Sequence, residues 1–260
     1  MSKPIHIEAK TIADAWFQLL YNIFDNSYIQ TIQKGSFEKE QYRLQYPGVS
    51  IFIEYPWMDM IPHMPAGSNI PAPTTMEYVE DYFANYLMDP NLAENETYRY
   101  SSRIHYPMPK GGSQLERVID MLKKTPLTNQ AVVEIATPTD LDICIGKDGK
   151  CDPACLRILD WKTIPVKTDK KHGEEEQNIQ YITGPDGTLS ELTLTLSVYF
   201  RSWDLWAGLP SNLAGLELLK QYVAGETGLK NGPMYAYSAG LHIYGYQEDL
   251  ARIRTLKNGK

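Results

Sequence analysis

The run ELTLTLSVYFRSWDLWAGLPSNLAGLELLKQYV, from Glu191 to Val223, constrains the fold more than any other stretch. Leucine and threonine alternate with a period of two, the mark of a strand with one buried face. The segment FRSWDLWAGLPSN then crowds together an arginine, a serine, an aspartate, two tryptophans, a glycine, a proline and an asparagine. The run NLAGLELLKQYVAGETG follows at helical spacing, with Gly225 or Gly228 near its end. A strand therefore feeds a long helix through a polar corner. Two readings are open at this point. Asp204 or Asn212 caps the helix while Gly208 and Pro210 shape the bend, or the corner is a binding loop whose arginine and hydroxyl grip an anion.

The remaining chain mixes helices and strands without strict βαβ alternation. Residues 11–33 have an amphipathic helical pattern, with Ile12, Trp16, Leu19, Leu20, Ile23 and Phe24 on one face. VSIFIEY reads as a strand, and the Pro/Gly/Met-rich segment after it as loop. TMEYVEDYFANYLM reads as a helix capped by Thr74 or Thr75, with Glu77 in its first turn. GGSQLERVIDMLKKTP is a further helix in which Ser113 and Glu116 have capping-box spacing. QAVVEIA is a strand, KTDKKHGEEEQ an exposed charged loop, GPDGTL a hairpin turn, and MYAYSAGLHIYGY a last strand-like run. No internal repeat or linker divides the chain. The expectation is an α+β fold, a mixed sheet with packed helices, forming one domain over residues 1–260.

Composition excludes several classes of function. A net charge of -7 with no basic tract argues against a nucleic-acid polymer as partner. No run approaches a membrane span and the first residues lack a secretory pattern, so a soluble cytoplasmic protein is expected. The three cysteines, Cys144, Cys151 and Cys155, are odd in number, and C-x3-C is poor zinc spacing, so no metal site is expected. They are buried structural thiols, or one is a nucleophile beside bystanders. Cys155 follows Asp-Pro-Ala where a turn feeds an apolar strand. His242 and Tyr244 fall on one face of a strand.

Taken in order, DPAC, YFRSWDLWAGLPSN and LHIY resemble the nucleophile turn, the long arginine signature and the His-x-Tyr strand of thymidylate synthase and its relatives, the pyrimidine-nucleotide hydroxymethylases. The signature is matched at Tyr199, Arg201, Ser202, Asp204, Gly208, Pro210 and Asn212, and YRYSSR echoes a Tyr-Gly-x-Arg motif upstream. The resemblance implies a thymidylate-synthase-type fold, a homodimer, and transfer of a one-carbon unit to carbon 5 of a pyrimidine deoxynucleotide. Its favoured form is reductive methylation of dUMP to dTMP; hydroxymethylation of dUMP or dCMP, and an inactive nucleotide-binding homologue, are the alternatives. It implies 5,10-methylenetetrahydrofolate or a methanopterin-type carrier as cofactor. Cys155 becomes the thiolate that adds to carbon 6. Arg201 and Ser202 hold the phosphate, Asn212 reads the base, and His242 and Tyr244 hold the sugar hydroxyl. Asp204 supports the loop and the reduced pterin.

The chain also departs from the family pattern. Asn129 and Gln130 stand where the family has an arginine pair, so Arg99, Arg103 or Lys124 are candidates to assist Arg201. The family's N-terminal Arg-Thr-Gly loop has no match, and Ser211 replaces a usual aromatic. The short segment after Tyr244 matches the plan of short archaeal-type synthases. Glu77 and Glu80 are the candidates for a catalytic carboxylate. Trp203 and Trp206 are read as core or interface residues, and the Met-rich loop as adaptable packing.

Overall fold

The computed structural model describes residues 3–32, 41–92, 98–143 and 153–257; Cys144 and Cys151 lie outside them. The first half of the chain builds β1 (Ile5–Ala9), α1 (Ile12–Asn26), β2 (Tyr28–Thr31), β3 (Tyr42–Gln45), β4 (Val49–Ile53) and α2 (Met76–Asp81), which runs into a π-helical segment (Tyr82–Met88). Next come α3 (Tyr100–Ile104), α4 (Gln114–Lys124), β5 (Val132–Glu134) and α5 (Asp140–Ile143). The last part adds β6 (Leu156–Lys167), β7 (Tyr181–Thr183), β8 (Leu189–Phe200), β9 (Trp203–Asp204), α6 (Gly208–Thr227), β10 (Lys230–Ser238), β11 (Leu241–Tyr244) and α7 (Glu248–Thr255). The fold is α+β, as expected. A mixed sheet runs β1-β4-β10-β8-β6-β5, with β7 also on β8, and a smaller sheet runs β2-β3-β11-β9.

Three expectations need correction. The helix expected over 11–33 ends at Asn26, where Ser27 turns extended, and Tyr28–Thr31 instead pairs antiparallel with β3. Aromatic and β-branched side chains with a partner strand outweigh a helical pattern there. The helix after the Pro/Met loop starts under Thr75, whose side chain accepts from the Tyr78 N–H, and changes to π geometry at Tyr82. The final strand-like run is two strands in two sheets, broken between Ser238 and Leu241. Where capping chemistry was explicit the sequence reading holds. Ser113 and Glu116 form the reciprocal capping box of α4.

The break in the last strand is half of a shared corner. β10 runs parallel to β8, Ser238 beside Phe200. Both strands then leave the large sheet, and their continuations pair again in the small one, Leu241 beside Trp203 and His242 beside Asp204. The parallel pair bends as a unit, as strands do when they pass between sheets. Gly240 permits the bend, because a Cβ there would stand 2.8 Å from the Arg201 carbonyl oxygen.

Helix α6 fills the space against one face of the large sheet. Its apolar residues, including Leu209, Leu213, Leu216, Leu219 and Val223, are fully buried. The helix is exposed only near its C-terminal end, at Gln221, Tyr222, Gly225 and Glu226, yet its buried part carries Glu217 and Lys220, both 0% exposed. Lys220 Nζ lies 3.0 Å from Glu217 Oε2 and donates to Asn231 Oδ1 at 2.7 Å and to the Gly232 carbonyl. Asn231 Nδ2 in turn donates to Glu217 Oε1 at 2.8 Å. Burial pulls the Lys220 pKa down and the Glu217 charge opposes it. The pair is held by hydrogen bonds rather than by solvent, so removing one partner leaves an uncompensated charge. Lys220→Met is expected to lose about 3–5 kcal/mol of unfolding free energy. Adding Glu217→Leu should restore most of it, as read from urea denaturation midpoints.

Candidate active site

The register of β6 on β8 brings the sequence-predicted residues together. Leu156 pairs with Phe200, so Cys155 stands opposite Arg201 where both strands leave the sheet, and the Arg201 N–H donates to the Cys155 carbonyl at 2.9 Å. The guanidinium of Arg201 folds back over the same turn. Its Nε donates to the Ala154 carbonyl at 3.2 Å and its Nη2 to the Pro153 carbonyl. A second guanidinium, that of Arg157, donates to the Ala154 carbonyl at 3.0 Å. Two guanidiniums thus hold the backbone of the turn that carries the half-buried Cys155. Tyr100 lies over the turn and accepts from the Leu156 N–H at 3.3 Å. Burial, then the charge of Cys155, pushes its phenol far up, so it remains protonated.

Across the corner, Asp204 accepts from the backbone N–H groups of Trp206, Ala207 and Gly208, each at 3.1 Å. It is an anchor for the N-terminus of α6, where a carboxylate is electrostatically favoured. Asn212 sits in the first turns of α6 and accepts from Trp203 Nε1 at 3.0 Å. Both capping candidates therefore organise the corner, but neither is the N-cap of α6, which is Ala207; Asp204 instead gathers the N–H groups of the turn and of Gly208, the first helical residue. Ser202 lies half-buried between Arg201 and Trp203.

His242 is 2% exposed and stands edge-on to Tyr244, ring centroids 4.8 Å apart. Its Nδ1 lies 2.8 Å from the Gly240 carbonyl. A carbonyl only accepts, so Nδ1 carries the proton and Nε2 presents a lone pair. That Nε2 is buried without a hydrogen-bond partner among the described residues. Burial pulls the imidazole down to about 4, helped by Arg43 and opposed by the Gly240 bond and Asp204. Tyr244 is pushed up to about 12, first by burial and then by Asp204, with Cys155 among the smaller causes. The pair is thus a neutral imidazole acceptor beside a phenol.

Other candidates fall elsewhere. Glu77 and Glu80 are exposed on α2. Asn129 and Gln130 are exposed ahead of β5, and Lys124 is exposed at the end of α4. Arg103 is engaged with the buried Asp140 at 3.2 Å, and Arg99 lies over the Tyr86 ring at 5.0 Å. Trp203 and Trp206 are buried, 3% and 5% exposed, as read from the sequence. The site also holds residues the sequence reading did not single out: Tyr100, Tyr82, and Arg43, which pairs with Tyr244 across β3 and β11. Tyr100 lies inside the quoted YRYSSR segment, so a signal existed. Arg43 and Tyr82 carry none. Beside Asn212 a cavity of about 410 Å³ is lined by residues 73–75, Tyr78, Ala207, Gly208 and Ser211. Among the described residues there is no cluster of three or more potential metal ligands, and no helix is long and apolar enough to cross a membrane.

The buried imidazole has a measurable consequence. Its folded pKa lies below its unfolded value of 6.5, so the unfolded state binds the proton first as pH falls. Stability attributable to His242 is intact above pH 6.5 and is lost progressively down to about pH 4. The loss is on the order of 3 kcal/mol. His242→Gln should remove that part of the acid slope in denaturation curves taken across the window. An unchanged slope would show that His242 is not buried neutral.

Comparison with known proteins agrees with this geometry. The family model for thymidylate synthase matches residues 74–258. A protein of Methanosarcina barkeri bearing the name "Putative thymidylate synthase" is 27% identical over 245 residues, 94% of this chain and 91% of its own length. A protein of the same name from Methanococcoides burtonii is 28% identical over 244 residues, with the same coverage. The solved thermostable thymidylate synthase A of Bacillus subtilis superposes with a TM-score of 0.61 at 14% identity, covering 96% of this chain and 86% of that one, a likeness of fold. With the match extending from the Pro/Met loop through the corner to α7, the chain belongs to the thymidylate synthase family.

Proposed function

We propose that this protein transfers a one-carbon unit to carbon 5 of dUMP, in the reductive form that yields dTMP, through a covalent bond between Cys155 and carbon 6. The observation that carries the reading is the Cys155 turn, whose carbonyls take hydrogen bonds from the Arg201 and Arg157 guanidiniums and over which the Tyr100 phenol lies. Carbon 5 of uracil is a poor nucleophile until a thiolate adds at carbon 6 and pushes the electron pair toward carbon 5 and the 4-oxygen. Cys155 supplies that thiolate, and the two guanidiniums on its turn favour its ionised form. Loss of the carbon-5 proton to a base and elimination of the thiolate from carbon 6 at the end restore the ring and the enzyme.

The remaining residues bind and orient. Arg201, already fixed on the turn, anchors the 5'-phosphate with help from the Ser202 hydroxyl. The His242 Nε2 lone pair accepts from the sugar hydroxyl and Tyr244 lies beside it, which gives the buried imidazole nitrogen a partner. Asn212 reads the base edge. The cavity beside Asn212 fits a reduced pterin, with Pro73, Tyr78 and Ala207 as apolar wall and the Thr74 and Ser211 hydroxyls, hydrogen-bonded at 2.9 Å, among its polar groups. When bound, a methylene-carrying pterin, folate or methanopterin in type, supplies the one-carbon unit and, for methylation, the hydride. Tyr199 and Tyr237, 37% and 42% exposed on adjacent strands of the large sheet, form the face on which we place a second copy of the chain.

Incubation with 5-fluoro-dUMP and methylene carrier should leave a covalent adduct on the peptide holding Cys155, and Cys155→Ser should lose turnover while still binding dUMP. An adduct on another cysteine would contradict the assignment, and a 5-hydroxymethyl product would mean that water, not hydride, captures the intermediate.

The phosphate assignment is tested separately. Arg201→Ala should weaken dUMP by about 2–5 kcal/mol. Deoxyuridine should lose far less, and Asn129→Ala and Gln130→Ala should change both little. Equal loss for the two ligands would confine Arg201 to holding the turn.

A further inference from the structure

Asn212 is held more tightly than a surface amide. Its Oδ1 accepts from Trp203 Nε1 at 3.0 Å. An amide has nearly the same shape either way round, but an indole N–H is a donor and nothing else. The atom facing Trp203 is therefore oxygen. Trp203 itself cannot swing away. It is 3% exposed, stacked on Phe200 with ring centroids 4.0 Å apart and planes 5° from parallel, and its backbone pairs with Leu241.

A second group bears on the same amide. Tyr82, the first residue of the π-helical segment, is 6% exposed, and its hydroxyl is buried with no hydrogen-bond partner among the described residues. Asn212 is the side chain whose hydrogen-bonding groups bear on that hydroxyl, while burial keeps the phenol protonated. The ring reaches this position because Gly215, one turn beyond Asn212 on α6, leaves it room. A Cβ at Gly215 would stand 2.4 Å from Tyr82 Cδ1. The ring also stacks on Tyr86 at 5.8 Å.

We propose that Trp203 and Tyr82 are positioning residues that clamp the Asn212 amide in one orientation and thereby set which pyrimidine the site accepts. This inference rests on the reading of Asn212 as the base-reading residue. With its oxygen facing Trp203, the amide retains its N–H donors and one oxygen lone pair, and the Tyr82 hydroxyl, buried with no hydrogen-bond partner among the described residues, can take one of those donors. Uracil offers the complement, a 4-oxygen acceptor beside an N3–H donor. Cytosine offers an amino donor beside a bare N3, and would be matched only by an amide turned over. Turning it over places the NH₂ against the indole N–H and strands a buried donor, a loss of about 1–3 kcal/mol. The clamp acts against cytosine through this cost.

The test is the ratio of the dCMP to the dUMP dissociation constant, measured by titration calorimetry on the full chain. Trp203→Phe keeps the stack on Phe200 and deletes only the donor. Tyr82→Phe keeps the ring against Gly215 and deletes only the hydroxyl. Trp203→Phe should lower the ratio about tenfold, the worth of one hydrogen bond, and Tyr82→Phe should lower it in the same direction. A merely structural role would weaken both nucleotides alike and leave the ratio unchanged. Gly215→Ala, which displaces the Tyr82 ring, should reproduce the Tyr82→Phe ratio and decides the matter if Trp203→Phe does not fold. If Asn212→Ala collapses the ratio while the Trp203 and Tyr82 variants keep it, the clamp is overturned and the reading of Asn212 stands. If Asn212→Ala also keeps the ratio, or the unaltered protein binds neither nucleotide, the reading of Asn212 fails and the clamp with it.

Discussion

The parallel pairing of β8 with β10, carried intact around the corner into β9 and β11, is the constraint on which the site depends. Ordinary strands end where their ladder ends. Here the ladder bends with both chains together, and the bend turns Arg201, Trp203 and His242 toward the same region from two strands at once. Gly240 is the point of closest approach, and its missing Cβ lets the Arg201 carbonyl pass. The corner exchanges regular hydrogen bonding in one sheet for a concentrated set of side-chain functions between two.

Arg201 shows what that exchange implies for chemistry. A guanidinium has five N–H donors in a rigid fork, and this one directs Nε at the Ala154 carbonyl and Nη2 at the Pro153 carbonyl. The same cation therefore holds the thiol-bearing turn and, in the proposed reaction, favours the thiolate and meets the phosphate. A lysine could supply the charge but not the fork. Arg157 reinforces the turn from the far side and is itself fixed by Asp140, at 2.9 Å. The thiol thus sits in a frame of paired charges and backbone carbonyls rather than in loose loop.

What the sequence could disclose follows the range of the interactions involved. Local chemistry was legible: the Ser113 capping box, the strand at Leu189–Phe200, the turn at Asp204, and the shared face of His242 and Tyr244; the one-sided burial that the Leu/Thr alternation suggested was not found, since Thr193 and Thr195 are buried as well. The residues whose place depends on distant partners were not. Tyr28–Thr31 looks helical until β3 is beside it, and the last strand looks continuous until the corner divides it between sheets. Tyr82 reads as one more helical aromatic, because its importance comes from a π turn and from Gly215 on another helix. Arg43 arrives by strand pairing alone. Glu77 and Glu80 were suggested by their helix, yet the structure leaves both in solvent.

The corner also has a consequence for how the molecule comes together. Arg201, Asp204, Asn212, His242 and Tyr244 all belong to one unbroken passage of strand, helix and strand, from Leu189 to Tyr244. Cys155 joins through an antiparallel partner immediately upstream. Contacts between near neighbours in sequence require less loop-closure entropy and tend to form sooner than remote ones. The groups proposed to grip the nucleotide can therefore assemble as one foldon, whereas the phenols of Tyr82 and Tyr100 reach it only when the N-terminal half docks. Loosening of that half would leave the corner of Arg201, Asp204 and His242 standing, with the turn of Cys155 no longer covered by Tyr100.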